Sequence, residues 1–319
     1  MSNTVYKDKP KALNQMKAVK GELVTFNNES FYKISNSDKM RPFFMSIVSD
    51  SNHWMFISSN GGLTAGRKNA EFSLFPYYTD DKITEMAETT GSKAIFQMHS
   101  NGKTQIWEPF SIRQMGIYKT QTNLYKNVYG NKVVFEETNL DLGLTFRYEW
   151  NSSNEFGFVR KASLINNSDS KVEVTVLDGL QNILPATVTS DLQNSRSNLV
   201  DAYKKSELQA EVGLGIYALS AVIVDKAEPS ESLKSNIVWS AGLQNPTYLL
   251  SSIQLNKFRR GDSVSQEVDV KAEKGAYFMS STVNLEAGKQ ESWMFVANVN
   301  QSISDVVRIS EIIKNDTNI

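Results

Sequence analysis

Three consecutive segments near the middle of the chain alternate polar and apolar residues with a period of two. They are Leu142-Gly143-Leu144-Thr145-Phe146-Arg147-Tyr148-Glu149-Trp150, the stretch 156–165, and Lys171-Val172-Glu173-Val174-Thr175-Val176-Leu177. This period sends successive side chains to opposite faces of an extended strand, whereas a helical stripe repeats every ~3.6 residues. Asn166-Asn167-Ser168-Asp169-Ser170 supplies a turn between the last two. The three therefore predict consecutive antiparallel strands with one wet face.

The same alternation recurs along the chain. Segments 22–26 and 31–34 flank Asn27-Asn28, and 94–99 and 104–107 flank Ser100-Asn101-Gly102-Lys103. Asn-Gly between two alternating runs is a strong hairpin signal, because it suits the turn type that matches strand twist. Further strands are predicted over 43–48, 54–59, 116–119, 132–137, 214–219, 236–239, 264–270, 276–279 and 291–297. About fifteen strands with polar turns and little helix make an all-β protein, either a large antiparallel two-sheet sandwich or two stacked smaller ones. Helical spacing shows in two places. Between 195 and 209, Leu199, Val200, Tyr203 and Leu208 suggest a short helix or ordered excursion. At the C-terminus Ser302 can cap and Asp305 suits the first turn, while Ile303, Val306, Val307, Ser310 and Ile313 share a stripe, which predicts an amphipathic helix. Residues 1–20 read as a polar, lysine-rich arm and 21–319 as a single domain, with no internal repeat.

Composition removes several chemistries. The net charge of -1 gives no basic surface for nucleic acid. The absence of cysteine excludes disulfides, a thiol nucleophile and a thiolate metal site. Only His53 and His99 are available for imidazole chemistry, and neither has a catalytic partner nearby in sequence, so no metal ligands and no catalytic residues are assigned. His99 beside the 100–103 turn reads as a hydrogen-bonded turn neighbour. The N-terminus has no apolar signal region, and the longest apolar run, 213–224, is shorter than the ~20 residues needed to cross a bilayer. A cytoplasmic chain with no membrane partner is the expectation.

One stretch stands apart from the alternation: 54–83, which turns at Asn60-Gly61-Gly62 and ends in Tyr77-Tyr78-Thr79-Asp80-Asp81-Lys82. It matches neither phosphate-loop spacing, so the glycines read as a turn. Sugars are held by aromatic faces and planar polar groups. Asn60, Arg67, Tyr77, Tyr78, Asp80, Asp81 and Trp107 are accordingly the predicted carbohydrate- or partner-binding residues. Trp150 and Trp239 lie in strong strands and read as core, whereas Trp107, before Glu108-Pro109, ends a strand and is expected to be more exposed. Asp80-Asp81, Glu85, Glu136-Glu137 and Asp178 are available carboxylates for paired acid–base work, but acidic residues are abundant on any surface and adjacent ones on a strand point to opposite faces.

Phe158-Val159-Arg160-Lys161-Ala162-Ser163-Leu164-Ile165-Asn166, followed by Val172-Glu173-Val174, resembles the N-terminal sandwich of cellobiose and chitobiose phosphorylases and related glucoamylase-like enzymes. Val283-Asn284-Leu285-Glu286-Ala287-Gly288-Lys289-Gln290-Glu291-Ser292-Trp293-Met294-Phe295, before the helix from Ser302, is similar to the way that sandwich closes. The likeness covers much of 20–315 in strand order, while 60–82 departs from the phosphorylase pattern. The resemblance implies a galactose-mutarotase-like supersandwich with a C-terminal amphipathic helix and no cofactor. It implies an accessory domain of a glycoside phosphorylase or hydrolase, supporting a helical catalytic domain expected beyond the C-terminus, subunit assembly such as a homodimer, or saccharide binding. A stand-alone aldose epimerase or carbohydrate-binding protein is the alternative. Epimerisation needs an acid and a base across the ring, usually His with Glu, and no such motif is visible.

Overall fold

A computed structural model of the chain describes residues 18–100, 102–221 and 233–315. Most of the predicted N-terminal arm, and Asn101 of the predicted hairpin turn, lie outside the described residues. The strands are β1 (Lys20–Phe26), β2 (Glu29–Ser35), β3 (Phe44–Ile47), β4 (His53–Ser58), β5 (Leu63–Arg67), β6 (Gly91–Ser100), β7 (Lys103–Trp107), β8 (Thr120–Asn127), β9 (Val133–Asn139) and β10 (Leu144–Ser153). They continue with β11 (Gly157–Asn166), β12 (Val172–Ile183), β13 (Lys204–Gln209), β14 (Leu214–Leu219), β15 (Ser235–Ala241), β16 (Thr247–Leu249), β17 (Asp269–Lys271), β18 (Gly275–Leu285) and β19 (Gln290–Gln301). Helices are short until the last: α1 (Asp80–Glu85), α2 (Ser190–Ser195), α3 (Ser197–Tyr203), α4 (Leu255–Arg259) and α5 (Ile303–Asn315).

Every strand pairing is antiparallel, as the alternation predicts. One sheet of 11 strands runs β1-β2-β8-β9-β10-β11-β19-β15-β14-β13-β17, a second of 5 runs β16-β18-β12-β6-β7, and a third of 3 runs β3-β4-β5. A single apolar cluster joins all three, with Met45, Ile57, Phe96, Phe146, Trp150 and Val174 among its members. The two predicted hairpins form. Asn27 and Asn28 both take positive φ (49° and 63°) and bring Phe26 opposite Glu29. In the other, Ser100 pairs with Lys103.

The expectation of three neighbouring strands with one wet face needs correction. β10 and β11 pair with each other, but β12 crosses to the centre of the five-stranded sheet, between β18 and β6. From Val176 to Ile183 both of its faces are buried, which polar residues at alternate positions had masked. The crossing is pinned by Arg160 on β11 and Asp178 on β12, both fully buried. Their two hydrogen bonds measure 2.7 and 3.0 Å, and the Trp293 indole donates to the same carboxylate at 2.6 Å. The guanidinium lies over the Tyr148 ring, 4.8 Å from its centroid.

Three local expectations also change. Residues 116–119 form turns, with Gly116 at φ 78°, and the strand begins only at Thr120. Most of 264–270 is irregular, and only β17 from Asp269 pairs. In 195–209 the helical spacing is real through α3, but Lys204–Gln209 turns into a strand. The C-terminal helix forms with the predicted cap, but its buried face is centred on Val306 and Ile309, and Ile303 and Val307 of the predicted stripe are exposed. Ser302 Oγ and Asp305 exchange hydrogen bonds at its start, and Val306 and Ile309 are buried against Trp239 and Val296 on the outer face of the large sheet. Burying two such side chains stabilises the packing by about 3–6 kcal/mol. Among the described residues no helix is long and apolar enough to cross a membrane.

Candidate functional site

The turn after β4 serves α1. Asn60 Nδ2 donates to the Thr84 carbonyl at 2.7 Å, and its Oδ1 accepts from Gly62 N at 3.3 Å. A Cβ on Gly62 would collide with the Ile83 carbonyl, so only glycine lets the helix sit this close. The close backbone approach at this glycine is therefore made by the chain's own helix.

Beside this turn opens a cavity of about 340 Å³, within the size range of small-ligand sites. Its floor is β9, where alternation separates the adjacent glutamates. Glu136 faces outward and bonds Asn123, Tyr125 and Arg147. Glu137 faces inward beside Phe135, into the cavity. Its Oε1 accepts the Trp107 indole N–H at 3.0 Å, and its Oε2 accepts Phe110 N–H at 2.8 Å. Burial raises the Glu137 carboxyl above its ordinary range against the pull of these two donors, and the charge of Asp38 adds slightly to the rise. Asp38, on the rim, accepts from the Thr122 hydroxyl at 2.5 Å and pairs with Lys39 at 2.6 Å.

The wall opposite is the loop after β7. Phe110 holds a left-handed backbone (φ 61°), a conformation that costs a non-glycine residue about 1–2 kcal/mol. Its ring packs edge-on to Phe135 and Tyr148, at 6.3 and 5.4 Å, and its N–H is fixed by Glu137. Next to it an ionic cluster holds the loop down. Lys93 bridges Glu88 at 2.8 Å and Glu108 at 3.2 Å, Arg259 forks onto Glu108 at 2.8 and 2.9 Å, and Arg113 reaches Glu88. Burial opposes ionisation of both glutamates, but Lys93 with the Ile112 N–H and Ser111 hydroxyl outweighs it at Glu88, and Arg259 with Lys93 at Glu108, so both are held below the usual carboxylate range. The loop is thus clamped by charge on one side and strained over the cavity on the other.

Of the residues predicted for the site, Asn60 and Trp107 line this cavity together. Trp107 does so from a fully buried position, which corrects the expectation that it would be exposed. Its indole N–H finds an acceptor in Glu137, 30 residues along the chain, so the ring can close a strand end without facing solvent. Tyr77, Tyr78, Arg67 and Asp81 do not line it. Tyr77 is exposed and sits edge-on to Trp54 at 5.6 Å, while Tyr78 is half-buried under the Lys82 ammonium. Arg67 bonds Asn52 at 2.6 Å and Asn298 at 3.1 Å, fixing the end of β5. Asp81 accepts the Thr79 hydroxyl at 2.7 Å on the first turn of α1. The Asp80 side chain lies outside the described residues. Sequence reasoning left Glu137 unassigned and missed Asp38, Phe110 and Thr122. The only signal for Glu137 was its place, one residue out of phase with Glu136.

Neither histidine reaches the cavity. His53 Nδ1 meets Ser51 Oγ at 2.6 Å and the ring stands edge-on to Phe158. Burial, helped by the Arg67 charge, pushes its pKa down to about 4, so the ring is neutral near pH 7. His99, expected as a hydrogen-bonded turn neighbour, binds Thr104 across the hairpin at 3.3 Å and Thr175 on the adjacent strand at 2.9 Å.

No family model and no curated protein matches the chain. Solved structures similar to it include a bacterial glucoamylase complexed with acarbose, at 10% identity and a TM-score of 0.41, over 94% of this chain and 39% of that one. A protein assigned as a kojibiose phosphorylase from the human microbiome aligns at 12% identity and a TM-score of 0.43, over 95% of this chain and 37% of its own. One assigned as an aldose 1-epimerase from Klebsiella pneumoniae subsp. pneumoniae aligns at 10% identity and a TM-score of 0.42, over 92% of this chain and 91% of that one. The chain thus spans little more than a third of the first two and nearly all of the third. The all-β assignment itself rests on the sheets described above.

Proposed function

We propose that this chain is a carbohydrate-binding β-sandwich domain of a glycoside phosphorylase or hydrolase, which receives saccharide and supports a separate catalytic domain. The observation that carries the reading is the cavity over Glu137. It sets the aromatic rings of Phe110, Phe135 and Tyr118 beside the short polar groups of Asn60, Thr122 and Gln114, the mixture that a ring with hydroxyls on an apolar frame requires. A helical catalytic domain is the partner we propose for the surface of 60–82. Neither histidine lines the cavity and His99 is engaged with threonines, which supports a binding role over acid–base catalysis by imidazole.

A second reading has one observation in its favour: Asp38 and Glu137 line the same cavity and could serve as base and acid of an aldose epimerase. Titration calorimetry of the chain with glucose and cellobiose, alongside polarimetry of freshly dissolved glucose and galactose, separates the two. Binding without faster mutarotation is the expected result. Acceleration that disappears in Glu137→Gln would replace the binding role with epimerisation.

A further inference from the structure

We propose that the cavity over Glu137 takes uncharged, hydroxyl-donating sugars and turns away uronates, sugar phosphates and sulfates. This rests on the saccharide reading above and names the class of sugar. Among the described residues lining the cavity, two are acidic, Asp38 and Glu137, and none is lysine, arginine or histidine. Of the basic residues adjacent in sequence to lining positions, Lys39 is paired with Asp38 and Arg113 with Glu88.

Hydrogen-bond polarity points the same way. The strongest donors around the cavity are spent on the protein: the Trp107 and Phe110 N–H groups on Glu137, the Thr122 hydroxyl on Asp38, and the Gln114 amide and Tyr118 hydroxyl on the Ile106 carbonyl. What is left unmatched is an acceptor. Gln114 Oε1 is buried with no hydrogen-bond partner, and its orientation is set because Nε2 is the atom that reaches Ile106 O. An orphaned buried acceptor is costly, and a hydroxyl brought to it would relieve that cost, whereas a carboxylate or phosphate group placed there would set a second acceptor against it. An anion would instead meet two acidic groups inside a partly desolvated wall, where like charges repel more strongly than in water.

The test is a matched calorimetric panel on the full chain at pH 7: glucose and cellobiose against glucuronate and glucose 1-phosphate. The anionic sugars should bind at least about tenfold more weakly, a difference of about 1.4 kcal/mol. The ratio should narrow in Asp38→Asn, a change on the exposed rim, and in Glu137→Gln. Gln114→Trp, which fills the cavity, should abolish binding of the neutral sugars and so locate it. Equal or tighter binding of the anionic sugars, or a ratio untouched in both acidic variants, overturns the inference and leaves the saccharide reading standing. Binding of neither class overturns the saccharide reading itself.

Discussion

At the scale of single residues, sequence showed which way side chains point and seldom what they meet. Alternation alone placed Glu136 and Glu137 on opposite faces, and the two do part company, one to Arg147 outside and the other to Trp107 inside. Trp107 itself was misjudged, because the end of a strand looks like an edge until another segment covers it. Its acceptor, Glu137, was not legible, because it lies in a different strand 30 residues along the chain. His53 carries a prediction at this scale. Its folded pKa, about 4, lies below its ordinary 6.5, so the unfolded chain binds the extra proton as pH falls through that window. Stability is therefore complete above pH ~6.5 and declines toward pH ~4, by about 1–2 kcal/mol once the ring's partial exposure is discounted. Urea midpoints measured from pH 7 to pH 4 should fall less steeply for His53→Gln than for the native chain. Parallel curves would show that the ring does not titrate between the two states.

At the scale of elements, period and turn chemistry located most strands, and the failures have physical causes. Thr120–Asn127 was missed because Thr, Gln and Asn occupy both of its faces, and Lys204–Gln209 because helical spacing ran straight into it. β12 was placed beside β11 by sequence order, yet it belongs to the opposite sheet. Local pattern cannot choose between sheets; that choice rests on long-range partners such as Arg160 and Asp178. With both side chains fully buried, removing one leaves the other charge uncompensated. Arg160→Met or Asp178→Asn should each cost about 3–5 kcal/mol in urea unfolding. The double change Arg160→Met with Asp178→Leu should be more stable than either single change. It should still fall short of the native chain, because the Trp293 N–H then lacks an acceptor, a loss of about 1–3 kcal/mol. Additive losses in the double variant would mean the pair is not coupled and does not pin the sheets.

For the whole molecule, the sandwich has two faces of distinct character near one turn: the cavity over Glu137 and the surface led by Tyr77, Tyr78 and Asp81. Asn60 belongs to both, since it lines the cavity and holds α1 through Thr84. A saccharide in the cavity and a partner on α1 would therefore bear on the same short helix. Asp81 is exposed, so Asp81→Ala should change unfolding free energy by no more than about 0.5 kcal/mol. Tyr78 is half-buried, and Tyr78→Ala should cost about 1 kcal/mol of apolar burial, too little to unfold a domain of this size. If 60–82 is the docking surface for a catalytic domain, both variants should weaken that assembly well beyond their effect on folding, by about 2 kcal/mol at a true hot spot. Sedimentation of the assembled enzyme and its turnover number, measured beside the thermal midpoint of this domain, separate the two effects. Assembly and turnover that stay at native levels while only the midpoint moves would return Tyr78 to a packing role and leave the cavity as the functional face.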